Sequence, residues 1–319
     1  MKREYWRAWR QNFSAVPERL EEALQWVGLE HGRTATYKKL LVEHSQGHRS
    51  NEHFFAYYQA MEILSIFDSW QNAAEDCPGL QDKISFVLKK GTLLSENENA
   101  SANSNRPRND GFVYILAGKF LHGGEARIIS VDGIKSKRVN TPQAGQESPG
   151  DIVLLFRESL IRIECKRPMN RTTLDDNVEA AFYQITNPSL NQALGIIAVD
   201  ASKIIERPGE YLEASSLDAG SKYLTDELEK ILTPSALRYN SETTLGFIGF
   251  ASIPLVATAK SRILKTDGTP YTIPNLKTAA VSWCSIKNPK SPKGDLLYEL
   301  QRSFARTTHD VPQNSLPMM

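Results

Sequence analysis

The sequence predicts an α/β protein in which a helical N-terminal domain precedes a domain that mixes strands and helices. Three observations carry that prediction. Apolar residues recur at helical spacing through roughly the first ninety residues. A polar stretch with no periodicity follows. Beyond it, short apolar runs bounded by turn residues alternate with amphipathic segments in the order α-β-β-β-α-β.

The helical part opens at Ser14, with Pro17 just inside the start and Leu20, Leu24 and Val27 at helical spacing before Gly28 and Gly32. A short helix is expected around Thr36 to Glu43. A long one runs from Asn51 to Trp70, with Phe54, Tyr58, Met61 and Phe67 along one side. A fourth, Gln81 to Lys90, presents Ile84, Val87 and Leu88. Four amphipathic helices with short connections predict a small helical domain over residues 1–94.

Residues 95–108, rich in Ser, Asn and Glu with alanine as their one apolar type, are expected to be a linker. The second domain is then expected over 109–319. It begins with a helix carrying Phe112, Ile115, Leu116 and Phe120 and ending at Gly123-Gly124, followed by a strand from Ala126 to Val131. A Gly/Pro/Ser/Gln-rich loop, Asn140 to Gly150, leads to two apolar strands. A helix over Leu174 to Ile185 and a buried-looking strand, Leu194 to Asp200, complete the order. Further segments are a helix over Ser221 to Leu232, β-rich runs over Leu245 to Val256 and Thr278 to Ser285, and a helix over Leu296 to Ala305.

Composition bounds the setting. At 319 residues the chain is long enough for two domains, and 40% apolar with 24% charged residues is ordinary for a globular protein. A net charge of +1 exerts no global pull on nucleic acid, so such binding must rest on a local patch. Cys77, Cys165 and Cys284 are odd in number and far apart, which fits a reducing compartment. No apolar run approaches the roughly 20 residues of a membrane span. The first residues lack the apolar core of a signal peptide. A cytoplasmic location is expected.

The chemistry concentrates between Ser148 and Pro168. Asp151 stands at the mouth of one apolar strand, and the next strand carries Glu164 and Lys166 two residues apart. Side chains alternate along a strand, so Glu164 and Lys166 share a face and Cys165 takes the other. Two close carboxylates repel and so favour entry of a cation. Mg²⁺ is typically held by one or two carboxylates with water and substrate phosphate. Asp151 and Glu164 are suited to hold Mg²⁺ or Mn²⁺, with the Cys165 backbone carbonyl as a further oxygen ligand. Lys166 could orient or deprotonate the attacking water. The competing reading is a cross-strand ion pair with no catalytic role.

Pro149-Gly150-Asp151 followed by Glu164-Cys165-Lys166 resembles the PD-(D/E)XK nuclease superfamily, over approximately Asn109 to Asp200. The resemblance implies a restriction-endonuclease-like αβββαβ core with a mixed central sheet. It implies metal binding by Asp151 and Glu164, and assistance to water by Lys166. Some members place a glutamine on the helix after the lysine strand, and Gln184 fits that position. One departure stands out: many members carry a glutamate on the helix before the first strand, and residues 110–122 contain none. Asp110 and Glu125 are poor substitutes, so the motif specifies one metal position and leaves a second unsupported.

Other candidates weigh less. Arg162 shares the Glu164 face and could contact phosphate, against the alternative of a solvent-facing or ion-pair role. Arg167, on the Cys165 face at the strand end before Pro168, is a further candidate nucleic-acid contact. Lys287, Lys290 and Lys293, spaced by prolines, are candidate phosphate contacts against the alternative of a solvated loop. His44, His48 and His53 lack the cysteine partners of a zinc site. The opening Tyr5-Trp6-Arg7-Ala8-Trp9-Arg10 could stack on bases or pack against a partner.

The expected function is metal-dependent hydrolysis of phosphodiester bonds by an endonuclease, in DNA ahead of RNA. A prokaryotic restriction or phage-defence setting follows only from the resemblance. The N-terminal helices would supply substrate contacts, a homodimer interface or a partner surface. The alternative is an inert nucleic-acid-binding or assembly module that keeps the fold.

Overall fold

A computed structural model describes residues 16–46, 48, 50–91, 102–123, 125–137, 150–186, 193–205, 212–239, 241–257, 262–264, 270–272, 275–284 and 292–302. They fall into two units, one within Met1–His122 and the other within Gly123–Phe304.

In the first unit the helices are α1 (16–26), α2 (Arg33–Ser45), α3 (Asn51–Trp70), α4 (Leu80–Lys89) and α5 (Ala102–Gly123). α3 is the central element because it is apolar on most sides, burying Ile63, Ile66, Phe67 and Trp70. Ser50 caps its start, accepting a bond from the His53 backbone N–H. α4 buries Leu80, Ile84, Val87 and Leu88 along one stripe. The start of α2 satisfies carbonyls that the end of α4 leaves open. Arg33 Nη2 donates to Val87 O at 2.9 Å, and Thr34 Oγ1 donates to Leu88 O at 2.7 Å.

α5 corrects the sequence reading. Residues 102–108, expected in the linker, are helical, while residues 95–101 lie outside the described residues. Arg108 is buried and forms an ion pair with Glu62 of α3, Nη1 to Oε2, at 3.1 Å. Farther along, Gly118 sits against Ser69 so closely that a Cβ there would lie 2.4 Å from Ser69 Oγ. Trp70 Nε1 donates to Tyr114 O at 3.0 Å. The helix expected to open the second domain therefore packs within the helical unit, and the division falls at 122/123.

The second unit is α/β. Its strands are β1 (Arg127–Val131), β2 (Ile134–Lys135), β3 (Ile152–Phe156), β4 (Ser159–Lys166), β5 (Leu194–Asp200), β6 (Leu212–Ala214), β7 (Thr244–Ala257), β8 (Arg262–Leu264), β9 (Pro270–Thr272) and β10 (Asn275–Cys284). Eight form one mixed sheet in the order β10-β7-β5-β4-β3-β1-β2, with β6 pairing β7 off that path; β8 and β9 form a separate pair. β1/β3 and β3/β4 are antiparallel, and β4/β5 and β5/β7 are parallel. The parallel step from β4 to β5 is carried by α6 (Arg171–Thr186). The remaining helices are α7 (Ser202–Ile205), α8 (Leu217–Arg238) and α9 (Pro292–Arg302).

One core lies where α6 and α8 cover β5 and β7. Leu174, Val178, Ala181 and Ile185 of α6 meet Leu224, Leu228 and Leu232 of α8, above Ile197, Val199 and Phe247. Gly195 lets α6 approach the sheet, since a Cβ there would lie 2.7 Å from Ile185 Cβ. Two hairpin turns use paired left-handed residues. Asp132 and Gly133 (φ 47° and 75°) join β1 to β2, and Arg157 and Glu158 (φ 46° and 66°) join β3 to β4 without a glycine. Among the described residues no helix is long and apolar enough to cross a membrane.

Candidate functional site

Asp151 directly precedes β3, whose first residue pairs Ile152 with Ile163 of β4. One step beyond, the Cys165 backbone N–H donates to Asp151 Oδ2 at 2.8 Å. The aspartate side chain thus extends the antiparallel ladder past its last backbone pair. Its own carbonyl accepts from the Asp132 backbone N–H at 2.7 Å, tying it to the β1–β2 turn.

Arg162, Glu164 and Lys166 share a face of β4 through the strand's two-residue period. Their β5 register partners are Gly195, Ile197 and Val199, so this is the face that α6 covers. Lys166 Nζ lies 3.6 Å from Glu164 Oε2 and donates to Gln184 Oε1 on α6 at 2.8 Å. The structure therefore brings Glu164, Lys166 and Gln184 together, with Asp151 on the adjoining strand.

Burial shapes the electrostatics. Glu164 is only 5% exposed. Its carboxyl is pushed up to about 7, first by burial and then by the Asp151 charge, with Lys166 and Arg162 opposing. Asp151 is also raised, again by burial first. The Cys165 N–H and Lys166 oppose that rise, and Asp132 adds to it. Burial pushes the Cys165 thiol up as well, so at neutral pH it is a protonated small side chain and not a nucleophile. A carboxyl pair this costly to ionise would be relieved by a cation, and Asp151 keeps Oδ1 clear of its bond to Cys165. Among the described residues no group of three or more His, Cys, Asp and Glu side chains is placed to hold a metal ion. Any ion at the pair would have to take its remaining ligands from water and phosphate oxygens, the usual manner of Mg²⁺.

The arginines differ from expectation. Arg162 is 2% exposed, and burial lowers its basicity while Glu164 opposes that shift. A side chain so enclosed does not face a nucleic-acid backbone. Arg167 is likewise taken up internally, with Nε 3.1 Å from Asp200 Oδ2 and side chains 7% and 9% exposed. Lys293 donates to the backbone carbonyl of Glu242, and Lys287 and Lys290 lie outside the described residues, as do residues 5–10. His53 is engaged by Ser50 and by Glu43, the latter at 3.2 Å; the His44 and His48 rings each stand 6.4 Å from it.

Two acids escaped the sequence reading. Asp132 lies close enough for its charge to act on Asp151. Its signal was the Asp132-Gly133 pair between apolar residues, a strong hairpin signature. Asp200 ends the apolar run of β5, where a lone charge closing a buried strand calls for a partner.

Comparison with family models, with curated proteins and with solved structures finds no match to this chain.

Proposed function

We propose that the protein is a metal-dependent nuclease that hydrolyses phosphodiester bonds, in DNA ahead of RNA. The observation that carries this reading is the cluster of Glu164, Lys166 and Gln184 across β4 and α6, with Asp151 near enough for its charge to act on Glu164. The antiparallel β1/β3/β4 order with β5 added in parallel through α6 agrees with the restriction-endonuclease-like core implied by the sequence resemblance.

Asp151 and Glu164 would hold one Mg²⁺ or Mn²⁺ between them, with the Cys165 carbonyl available on the same strand. Such an ion supplies an activated water and neutralises charge on phosphoryl oxygens. Lys166, bonded to Gln184, would orient the attacking water or take its proton. Burial of Glu164 keeps the pair in a low-dielectric pocket, where an ammonium acts strongly on developing charge. A cytoplasmic restriction or phage-defence role belongs to the same proposal. So does use of the N-terminal helices for substrate, homodimer or partner contacts.

The test is cleavage of plasmid, single-stranded DNA and RNA with Mg²⁺ or Mn²⁺, comparing wild type with Asp151→Ala, Glu164→Ala and Lys166→Ala. Loss of cleavage in all three variants is expected. Equal trace activity in wild type and variants would reject the catalytic reading. An inert binding module is favoured by one observation: the described residues bring only two carboxylates to the face with Lys166. Salt-sensitive DNA binding that survives chelation, with no cleavage under either metal, would decide for it.

A further inference from the structure

Lys166 ends β4, and its backbone register partner Val199 is the last such pair on β5 before Asp200. Beyond it the chain runs through Arg167 to Pro168, which has no N–H to offer a neighbouring strand. The ladder therefore stops at the lysine whose position matters most to the site. What continues the lateral tie is a side-chain pair, Arg167 Nε to Asp200 Oδ2 at 3.1 Å.

That pair is itself anchored. Asp200 Oδ1 accepts from the Ser202 backbone N–H at 2.9 Å and from the Ser202 hydroxyl. Ser202 Oγ in turn accepts from the Ser252 backbone N–H of β7 at 2.8 Å. One connected set of bonds runs from the end of β4 across β5 and the first residue of α7 to β7. Both charged side chains are almost wholly enclosed. An enclosed charge-assisted bond has few alternative geometries, so it restricts the strand end more than an exposed pair would.

We propose that Arg167 and Asp200 are positioning residues for Lys166: their buried ion pair replaces the missing backbone ladder and fixes the direction in which the lysine leaves the sheet toward Glu164 and Gln184. This inference rests on the nuclease reading for its consequence in catalysis, while its geometric content stands apart from it. The role of Arg167 is thus internal, and Asp200 serves the site without touching substrate.

The experiment uses the full chain with lysines carrying ¹³C at Cε. The Lys166 resonance is assigned through Lys166→Arg, and Lys38 on α2 of the helical unit serves as the reference. Asp200→Asn keeps the shape and an acceptor for Ser202 but removes the charge; Arg167→Gln removes the other partner. Ser202→Ala is a milder loosening that retains both charges and guards against variants that fail to fold. In all three the Lys166 signal is expected to shift or broaden while Lys38 stays fixed. With plasmid DNA and Mn²⁺, Asp200→Asn and Arg167→Gln should lower kcat on the order of tenfold to a hundredfold, as misplacement of a reacting group does. KM should hardly move, and the double variant should be no worse than either single one. An unmoved Lys166 signal in folded variants, a loss confined to KM, or additive losses would each overturn the proposal. Should wild type cleave nothing with either metal, the nuclease reading fails and the Lys166 signal alone decides the brace.

Discussion

Asp151 and Cys165 are joined by a 2.8 Å hydrogen bond from the Cys165 backbone N–H to Asp151 Oδ2. The bond makes the acidic side chain part of the sheet, with Oδ2 as the anchoring oxygen. Asp151→Ala removes the acceptor from a partly buried N–H and should cost about 1–2 kcal/mol of stability. Asp151→Asn keeps an acceptor and relieves repulsion with Glu164, and should cost distinctly less. Urea unfolding with a chelator present measures both; equal losses would mean that the carboxylate is no anchor.

Glu164 gives a pH signature. Its carboxyl ionises near 4.5 when unfolded and near 7 when folded, so between those values the folded chain binds more protons than the unfolded one. Stability from this group is therefore full below pH 4.5 and is lost as the pH rises through 7. That difference corresponds to roughly 3 kcal/mol, as an order of magnitude. Unfolding free energies across pH 4–8 in chelator should fall in wild type and flatten in Glu164→Gln. Parallel profiles in the two proteins would contradict the shift.

A bound ion should reverse that liability. An ion held only by the folded protein at about a hundred times its Kd adds about 2.7 kcal/mol. Mn²⁺ or Mg²⁺ should raise the thermal midpoint of wild type at pH 7.5 and leave Asp151→Asn and Glu164→Gln unchanged. The same rise in all three proteins would place the ion elsewhere.

Gly195 and Ile185 set the distance between α6 and the sheet. A methyl at Gly195 would fall 2.7 Å from both Cβ and Cδ1 of Ile185, within a helix that also carries Gln184. Gly195→Ala should cost about 1–3 kcal/mol by overpacking. It should also weaken the Lys166–Gln184 contact, lowering cleavage by more than Gln184→Ala alone. Denaturation and cleavage rates measure the two effects; full stability in Gly195→Ala would refute the close approach.

The β3–β4 turn holds Arg157 and Glu158 in left-handed backbone that favours glycine. Glu158→Gly should stabilise the protein by about 0.5–1 kcal/mol, since relief of a left-handed residue outweighs the extra chain entropy. Cleavage should be unaffected, because Glu158 lies at the far end of the hairpin from Asp151. A destabilised variant in chemical denaturation would count against this account of the turn.

The sequence by itself determined the local features: two apolar strands around a tight turn, Glu164 and Lys166 on one strand face, and a helix then a buried strand after them. Each follows from the two-residue period of strands or the 3.6-residue period of helices, which are properties of the backbone alone. Gln184 was legible only through the family resemblance, which places a glutamine on the helix after the lysine strand.

What only the tertiary structure decided is the fate of the charges. Arg162 and Arg167 read as phosphate contacts from residue type, yet one is enclosed on the face α6 covers and the other is bound to Asp200, 33 residues away. Residues 102–108 read as a linker because their composition lacks an apolar stripe, but Arg108 joins α5 to α3 through Glu62. Asp132 reaches Asp151 because β1 pairs with β3, a contact no local pattern encodes. The physical reason is common to all three. Periodicity is written along the chain, whereas the cost and use of a charge depend on what the fold packs over it and which opposite charge it brings within reach.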